Sequence, residues 1–526
     1  MSWTTEHEHE PRHLDDEDED IVFVYDAVDP SVEATDTEKK PASPEMVPNA
    51  DICIRYIACG KDMLVNQNVL LILTVYFLYG LTDSLMKESA YAAYVNILGH
   101  DKNGPLGVIE AVYGLTALLS APFVGYLADR CGRSKIIRAG GVLTFLAIVM
   151  QLSLMAWIGT NETVVRSTNQ ITSLAVMGLI MIFWGVAECV LNGPASALLA
   201  ESTPSSQRSI YFTYLYSIYT LASSSGPLVA LVMFQTMGDE WTLRDLASVI
   251  YAGLGIAVIY CILMLLVDDA KALHGGDEEF TKADEETAEK IATDGDEKDN
   301  DAAELTEVRP PSMSESLLIQ RQRWIPYIVL AQGLITAAGT GISVKFFPLF
   351  FKDEASLLPS QVQVVYVAIP ITTVIFSFSI ASLADRGFGR VQATAICSVL
   401  SVALMLMIVF FRSAFVHYPV LLIAIYVLQR SFLDCSFPLQ ESILLDYAPR
   451  GQSARWASMF NVSSFGWCGS AALGGWLSDK YGYSCIFLLT ALIQCMGIVV
   501  WCFLLPLVPR NQSDSPDEKE EIITEG

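Results

Sequence analysis

Nine ionisable residues of this 526-residue chain stand in stretches that are otherwise apolar. A charge costs at least about 2.5 kcal/mol to place in hydrocarbon, so such groups usually line a cavity. Asp83 and Lys87 are four apart with the acid first, the spacing at which side chains pair along one helical face, and Glu88 follows directly. Glu188 has apolar neighbours from Phe183 to Leu191, then Asn192-Gly193-Pro194, and no cation one turn away. It is a candidate to take up and release a proton. Arg430 and Asp434 repeat the four-residue spacing, suited to a bidentate guanidinium–carboxylate contact, and Glu441 lies seven beyond Asp434 on nearly the same face. Glu110 and Lys345 sit nearer segment ends, where a lysine can reach water. Each has a packing alternative: the two pairs as self-neutralising salt bridges, Glu188 as a neutral hydrogen-bonded carboxyl. The chemistry on offer is solute binding or proton transfer, not bond breaking. There is no nucleophile–base pair, no metal-spaced ligand cluster, no C-x-x-C among eleven cysteines and no G-x-x-x-x-G-K-[ST] loop. The sequence therefore predicts no enzyme, no metal, no cofactor and no direct ATP coupling.

Twelve segments are long and apolar enough to carry these residues through a bilayer, which takes about 20 residues each. They run 68–97, 105–127, 136–158, 171–199, 210–236 and 246–267, then 324–351, 361–384, 391–411, 418–445, 456–477 and 484–505, and are called spans 1 to 12 below. A hydrophobic share of 52 % and a mean hydropathy of +0.41 fit this and not an ordinary soluble domain. Six spans, a break and six more is the plan of a duplicated transporter. The halves echo each other in detail: span 4 leaves as P-A-S-A-L-L-A-E-S-T-P-S-S-Q-R (Pro194–Arg208), span 10 as P-L-Q-E-S-I-L-L-D-Y-A-P-R-G-Q-S-A-R (Pro438–Arg455).

Between spans 2 and 3, Gly125 to Ile137 read G-Y-L-A-D-R-C-G-R-S-K-I-I, and between spans 8 and 9 Ala381–Arg390 read A-S-L-A-D-R-G-F-G-R, with one extra residue before the final Gly-Arg. This resembles the G-x-L-A-D-R-x-G-R-[RK] signature between helices 2 and 3 of the major facilitator superfamily. The resemblance covers 67–267 and 324–505. It implies an all-α membrane fold of twelve transmembrane helices in two six-helix bundles, and a secondary active transporter working by alternating access. It also implies an ionic lock at one membrane face, built from Gly125, Asp129, Arg130 and Arg133, with Asp385, Arg386 and Arg390 from the second copy. Glu201, Arg208, Asp446 and Arg455 are its candidate partners.

The net charge of −26 divides unevenly. Residues 1–66 hold 17 acids and 5 bases, 268–323 hold 17 and 7, and 506–526 hold 6 and 2, which leaves the helical blocks with 18 of each. The acidic segments read as a disordered N-terminal tail, a linker between the bundles and a C-terminal tail, and they argue against nucleic acid as a partner. Lysine and arginine placement favours both termini in the cytoplasm, with Asn161 in an outside sequon open to glycosylation. The expectation is a monomeric multi-pass protein of the plasma membrane or a vacuolar or endolysosomal membrane. It would move a small polar organic solute, using Asp83, Lys87, Glu188, Arg430, Asp434 and Glu441 for substrate and protons. Tyr76, Tyr79, Tyr91, Trp184 and Tyr214 add aromatic surface suited to a polar or zwitterionic cargo. The alternatives are a proton-antiporting exporter of organic cations or toxins, or a transport-silent receptor or scaffold acting through its tails.

Overall fold

The computed structural model describes residues 53–58, 61–160, 170–203, 208–272, 322–447 and 466–508. Eleven helices among them are long and apolar enough to cross a membrane. They are Gln67–Met86, Gly104–Cys131, Arg133–Ile158, Ile171–Glu201, Tyr214–Met237, Leu243–Leu265, Ile325–Asp353, Pro359–Leu383, Arg390–Phe410, Pro419–Leu444 and Tyr483–Cys502, in order spans 1 to 10 and span 12. The described part of span 11 is the helix Gly466–Tyr481. Side chains such as Leu119, Phe123, Phe378 and Val420 are 60 to 79 % exposed, as they must be where lipid rather than water is the solvent.

The duplication is visible in the packing. Span 1 packs on spans 5 and 6, and span 7 on 11 and 12; span 3 packs on 4 and 6, and span 9 on 10 and 12. Span 2 packs on 4 and span 8 on 10, while the halves meet through 2 against 11 and 5 against 8. These close approaches need small residues: a Cβ on Gly107 would collide with the Ala471 carbonyl, and one on Gly475 would come within 2.6 Å of the Asn103 carbonyl oxygen.

One end of the bundle carries the two signature loops and is called the signature end; the other is the far end. Span 8 is well buried from Pro359 to Ile369 and has no buried residue from Pro370 to Leu383. Span 2 shows the same gradient, with only Val124 and Ala128 buried beyond Ala117. The halves therefore meet at the far end and splay at the signature end.

A two-stranded antiparallel hairpin, β1 (Cys53–Ala58) and β2 (Lys61–Asn66), precedes span 1. It lies within the segment that the sequence assigns to the tail. Asn66 then caps span 1 by accepting the Asn68 N–H at 2.8 Å. The stretch 68–97, read as one apolar segment, is two helices, Gln67–Met86 and Ser89–Leu98, broken at Lys87-Glu88.

Candidate functional site

Among the described residues four spans are interrupted, and they are the first and fourth of each half. Span 1 breaks at Lys87-Glu88, span 4 at a π turn (Leu191–Ala195) holding Pro194, span 7 at a 3-10 turn (Val344–Phe346), and span 10 at Cys435-Ser436. A broken helix frees backbone groups and makes room for polar side chains, tolerable in a membrane only where protein or a cavity surrounds them. The Tyr76 hydroxyl donates to the Leu191 carbonyl at 2.7 Å inside the π turn. Five of the nine intramembrane charges stand at these interruptions: Lys87 and Glu88, Glu188 just before the π turn, Lys345, and Asp434.

Lys87 is the centre of the first half. Its ammonium lies 2.8 Å from Asp83 and donates to the Tyr113 hydroxyl at 2.9 Å. It also stands 4.5 Å from the Tyr113 ring centroid, 5.3 Å from that of Trp184 and 5.9 Å from that of Tyr79, so three aromatic faces and a carboxylate surround one buried cation. Glu188 is within electrostatic reach of Lys87 and Asp83, and also of Lys345 and Glu110. One of its oxygens is sealed from solvent without a hydrogen-bond partner, as are the Trp184 indole nitrogen and the hydroxyls of Tyr91 and Thr82. A buried polar atom left unpaired costs about 1–3 kcal/mol, so water or a hydrogen-bonding solute placed among these atoms would be stabilising.

The second half contributes Lys345, whose ammonium lies 3.6 Å from Glu110 of the first half, and Arg430, which pairs with Asp434 at 2.9 Å. Glu88 stands between, within electrostatic reach of both Lys345 and Arg430. The charges that the sequence singled out thus form one connected group, spanning both halves, with Glu441 half-buried and outside the ion pairs described. Tyr113 is the site residue that sequence reasoning missed. It lies three residues after Glu110 on the same helical face, a signal that charge alone does not raise.

At the signature end, Gly132 and Gly389 adopt φ of 98° and 93°, the left-handed region that glycine enters without steric cost. Each turns the chain so that the next residue, Arg133 or Arg390, opens a helix facing the end of the fourth span of its own half. Arg133 pairs with Glu201 and donates to the Ala197 carbonyl at 3.1 Å. Arg390 pairs with Asp446 at 2.6 Å and with the Ser442 hydroxyl. The extra residue of the second copy is taken up by a π turn, Ala384–Phe388, with Gly387 at φ 92°, which leaves Arg390 in the place equivalent to Arg133. Asp129 and Arg130 are exposed; Arg130 lies over the Tyr126 ring at 5.6 Å, and Asp129 makes no ion pair among the described residues. Gly125 has open space where a Cβ would be, and Arg386 is exposed. Asn161 and Arg455 lie outside the described residues, as do the side chains of Arg208 and Asp385.

The family model described as Major Facilitator Superfamily matches residues 69–354 and 329–524. A multi-drug resistance efflux pump PmrA homolog of Lactococcus lactis is 27 % identical over 169 residues, 31 % of this chain and 37 % of that protein. The match therefore spans little more than a third of that relative. Among solved structures, a bacterial homologue of the iron transporter ferroportin in its inward-facing state covers 83 % of this chain and 98 % of its own at 12 % identity, with a TM-score of 0.62. A D-xylose–proton symporter covers 85 % and 98 % at 12 % identity, with a TM-score of 0.59. At such identities these two carry the fold alone.

Proposed function

This chain belongs to the major facilitator superfamily, a family of membrane transporters, and from that premise we propose that it is a secondary active transporter of a small polar organic solute. The observation that carries this reading is the set of unpaired polar atoms around Lys87: the Glu188 oxygen, the Trp184 indole N–H and the Tyr91 hydroxyl. A solute with hydrogen-bonding groups, bound between Lys87 and Arg430, would satisfy them and touch both halves at once. Glu188 is the proton carrier in this reading, since it has no cation in direct contact among the described residues and the group around it holds charges of both signs. With both termini in the cytoplasm, the splayed signature end opens inward. The shut far end faces the outside or an organelle lumen; Arg133 and Arg390 are already paired within their own halves, and the exposed Asp129 and Arg130 are the signature residues left to lock the opposite state.

The charge balance favours one variant of this reading. Five carboxyls (Asp83, Glu88, Glu110, Glu188, Asp434) stand with three cations (Lys87, Lys345, Arg430) in the connected group, an excess of two negative charges if all are ionised. A field of that sign concentrates cations, so export of an organic cation in exchange for protons is the second reading. The test is an untargeted comparison of small molecules in cells with and without the protein, under an imposed pH gradient, with Glu188→Gln and Lys87→Met alongside. A solute class that shifts with the wild type and not with the variants upholds transport, and its charge chooses between the two readings. A correctly inserted protein that moves no solute, but whose cellular effect vanishes on deleting 1–60 or 270–310, would mean a scaffold.

A further inference from the structure

At the far end two carboxylates, at corresponding points of the two halves, each reach across to the opposite half. Asp479, in the last turn of span 11, accepts the N–H of Asn103 through one oxygen and that of Gly104 through the other, both at 2.7 Å. These are the first free N–H groups of span 2 in the opposite half. Asp239, just beyond span 5, accepts the N–H of Ser360 at 2.8 Å and its hydroxyl at 2.6 Å, at the start of span 8, again in the opposite half. Spans 5 and 11 correspond in the repeat, as do 2 and 8. A helix N-terminus carries unsatisfied N–H groups and the positive end of the helix dipole, so a carboxylate is its best partner. Asp239 is held for this task in a left-handed conformation, φ 53°, with its own N–H bonded to the Phe234 carbonyl at 2.8 Å.

The sequence carries a matching sign. Gly475–Ser484 read G-W-L-S-D-K-Y-G-Y-S, which repeats the G-Y-L-A-D-R-C-G-R-S of Gly125–Ser134 at Gly, Leu, Asp, Gly and Ser, with Lys in place of Arg. Asp479 occupies the position of Asp129. In this conformation Asp479 is engaged and Asp129 is exposed.

We propose that Asp239 and Asp479 are a paired latch: each caps a helix of the opposite half and holds the far end shut, so that opening it requires both caps to be released. This rests on the alternating-access reading and deepens it, by assigning two positioning residues that set the balance between the two states. Neighbouring contacts support the closure, among them Trp241 to the Leu357 carbonyl at 2.8 Å and Lys352 to Asn96 at 3.1 Å. They lack the two-fold correspondence of the caps.

The test needs no cargo. Ser89, 1 % exposed and bonded to Gln363 of the other half, is replaced by Cys as a reporter. A membrane-impermeant maleimide is then added to the far face of sealed membranes, with the protein lacking the reporter as background. Asp239→Asn and Asp479→Asn each keep an acceptor but lose the charge, worth about threefold in labelling rate for one and about tenfold for both. Glu240→Gln, an exposed neighbouring carboxyl, leaves the rate unchanged. If the double variant does not reach the membrane, the single variants decide. An unchanged rate in the carboxamide variants, or an equal rise with Glu240→Gln, overturns the latch. Raised labelling in a protein that moves no solute leaves the latch standing and rejects transport; solute flux with unchanged labelling does the reverse.

Discussion

Replacing Lys87 by Met tests how charge is held in the first half. The ammonium is almost fully buried, while Asp83 keeps about a quarter of its side chain exposed, so the pair is only weakly screened. Removing one member of a buried ion pair costs about 3–5 kcal/mol, because the other charge is left behind without compensation. The Tyr113 hydrogen bond and the three ring contacts vanish with it; a desolvated cation–π contact is worth up to about 2 kcal/mol. These terms overlap, and water reaching Asp83 returns part of the loss, so the expected destabilisation is about 3 kcal/mol. Adding Asp83→Asn removes the stranded charge and should restore all but about 1 kcal/mol. The assay is reversible unfolding of the purified protein by a denaturing detergent, run as a double-mutant cycle. A coupling of at least about 2 kcal/mol is expected. If Lys87→Met is neutral, or the two losses simply add, Lys87 and Asp83 are not a mutually dependent buried pair.

Two further outcomes follow from the packing and from the far end. Gly226→Ala would bring a Cβ to 2.5 Å from the Leu85 nitrogen and 2.9 Å from the Leu81 carbonyl oxygen of span 1. Backbone of that kind yields poorly, so a loss of about 1–3 kcal/mol is expected, whereas Gly255→Ala, with open space around it, should cost nothing in the same unfolding assay. Beyond the end of span 7, burial pushes the Glu354 carboxyl above its ordinary value of 4.5, with Arg412 opposing the shift. The folded state therefore binds this proton more tightly than the unfolded state, and stability falls as pH rises from about 4.5 through the folded value. Unfolding midpoints measured from pH 4 to pH 7 should lose that component in Glu354→Gln; an identical slope in both proteins would contradict it.

Much of the architecture is legible because hydropathy and helix length are read directly from the chain. The spacing of Asp83 with Lys87 and of Arg430 with Asp434 predicts both ion pairs, since a helix repeats every 3.6 residues. What spacing cannot show is which charge meets which across the halves. Lys345 and Glu110 are 235 positions apart, and nothing local to either encodes their contact. The helix breaks were missed for a different reason: the polar cluster Asp83-Ser84 and Lys87-Glu88-Ser89 reads equally as charges carried on one unbroken helix, and only tertiary contacts stabilise an interrupted helix there. The caps by Asp239 and Asp479 were missed because each sits near a loop, where an acid reads as ordinary solvation. The repeat of the signature around Asp479 was the available sign.

The proposed proton-coupled transport through Glu188 is tested by reconstitution. Once a solute class is identified, its movement is measured in sealed vesicles for wild type and Glu188→Gln. The measurement is made first with a pH gradient and no preloaded solute, then as exchange against preloaded solute without a gradient. A carboxamide keeps the shape but can neither take nor release a proton. Gradient-driven accumulation is expected to be lost in Glu188→Gln while exchange persists. Gradient-driven accumulation at the wild-type level in Glu188→Gln would contradict it.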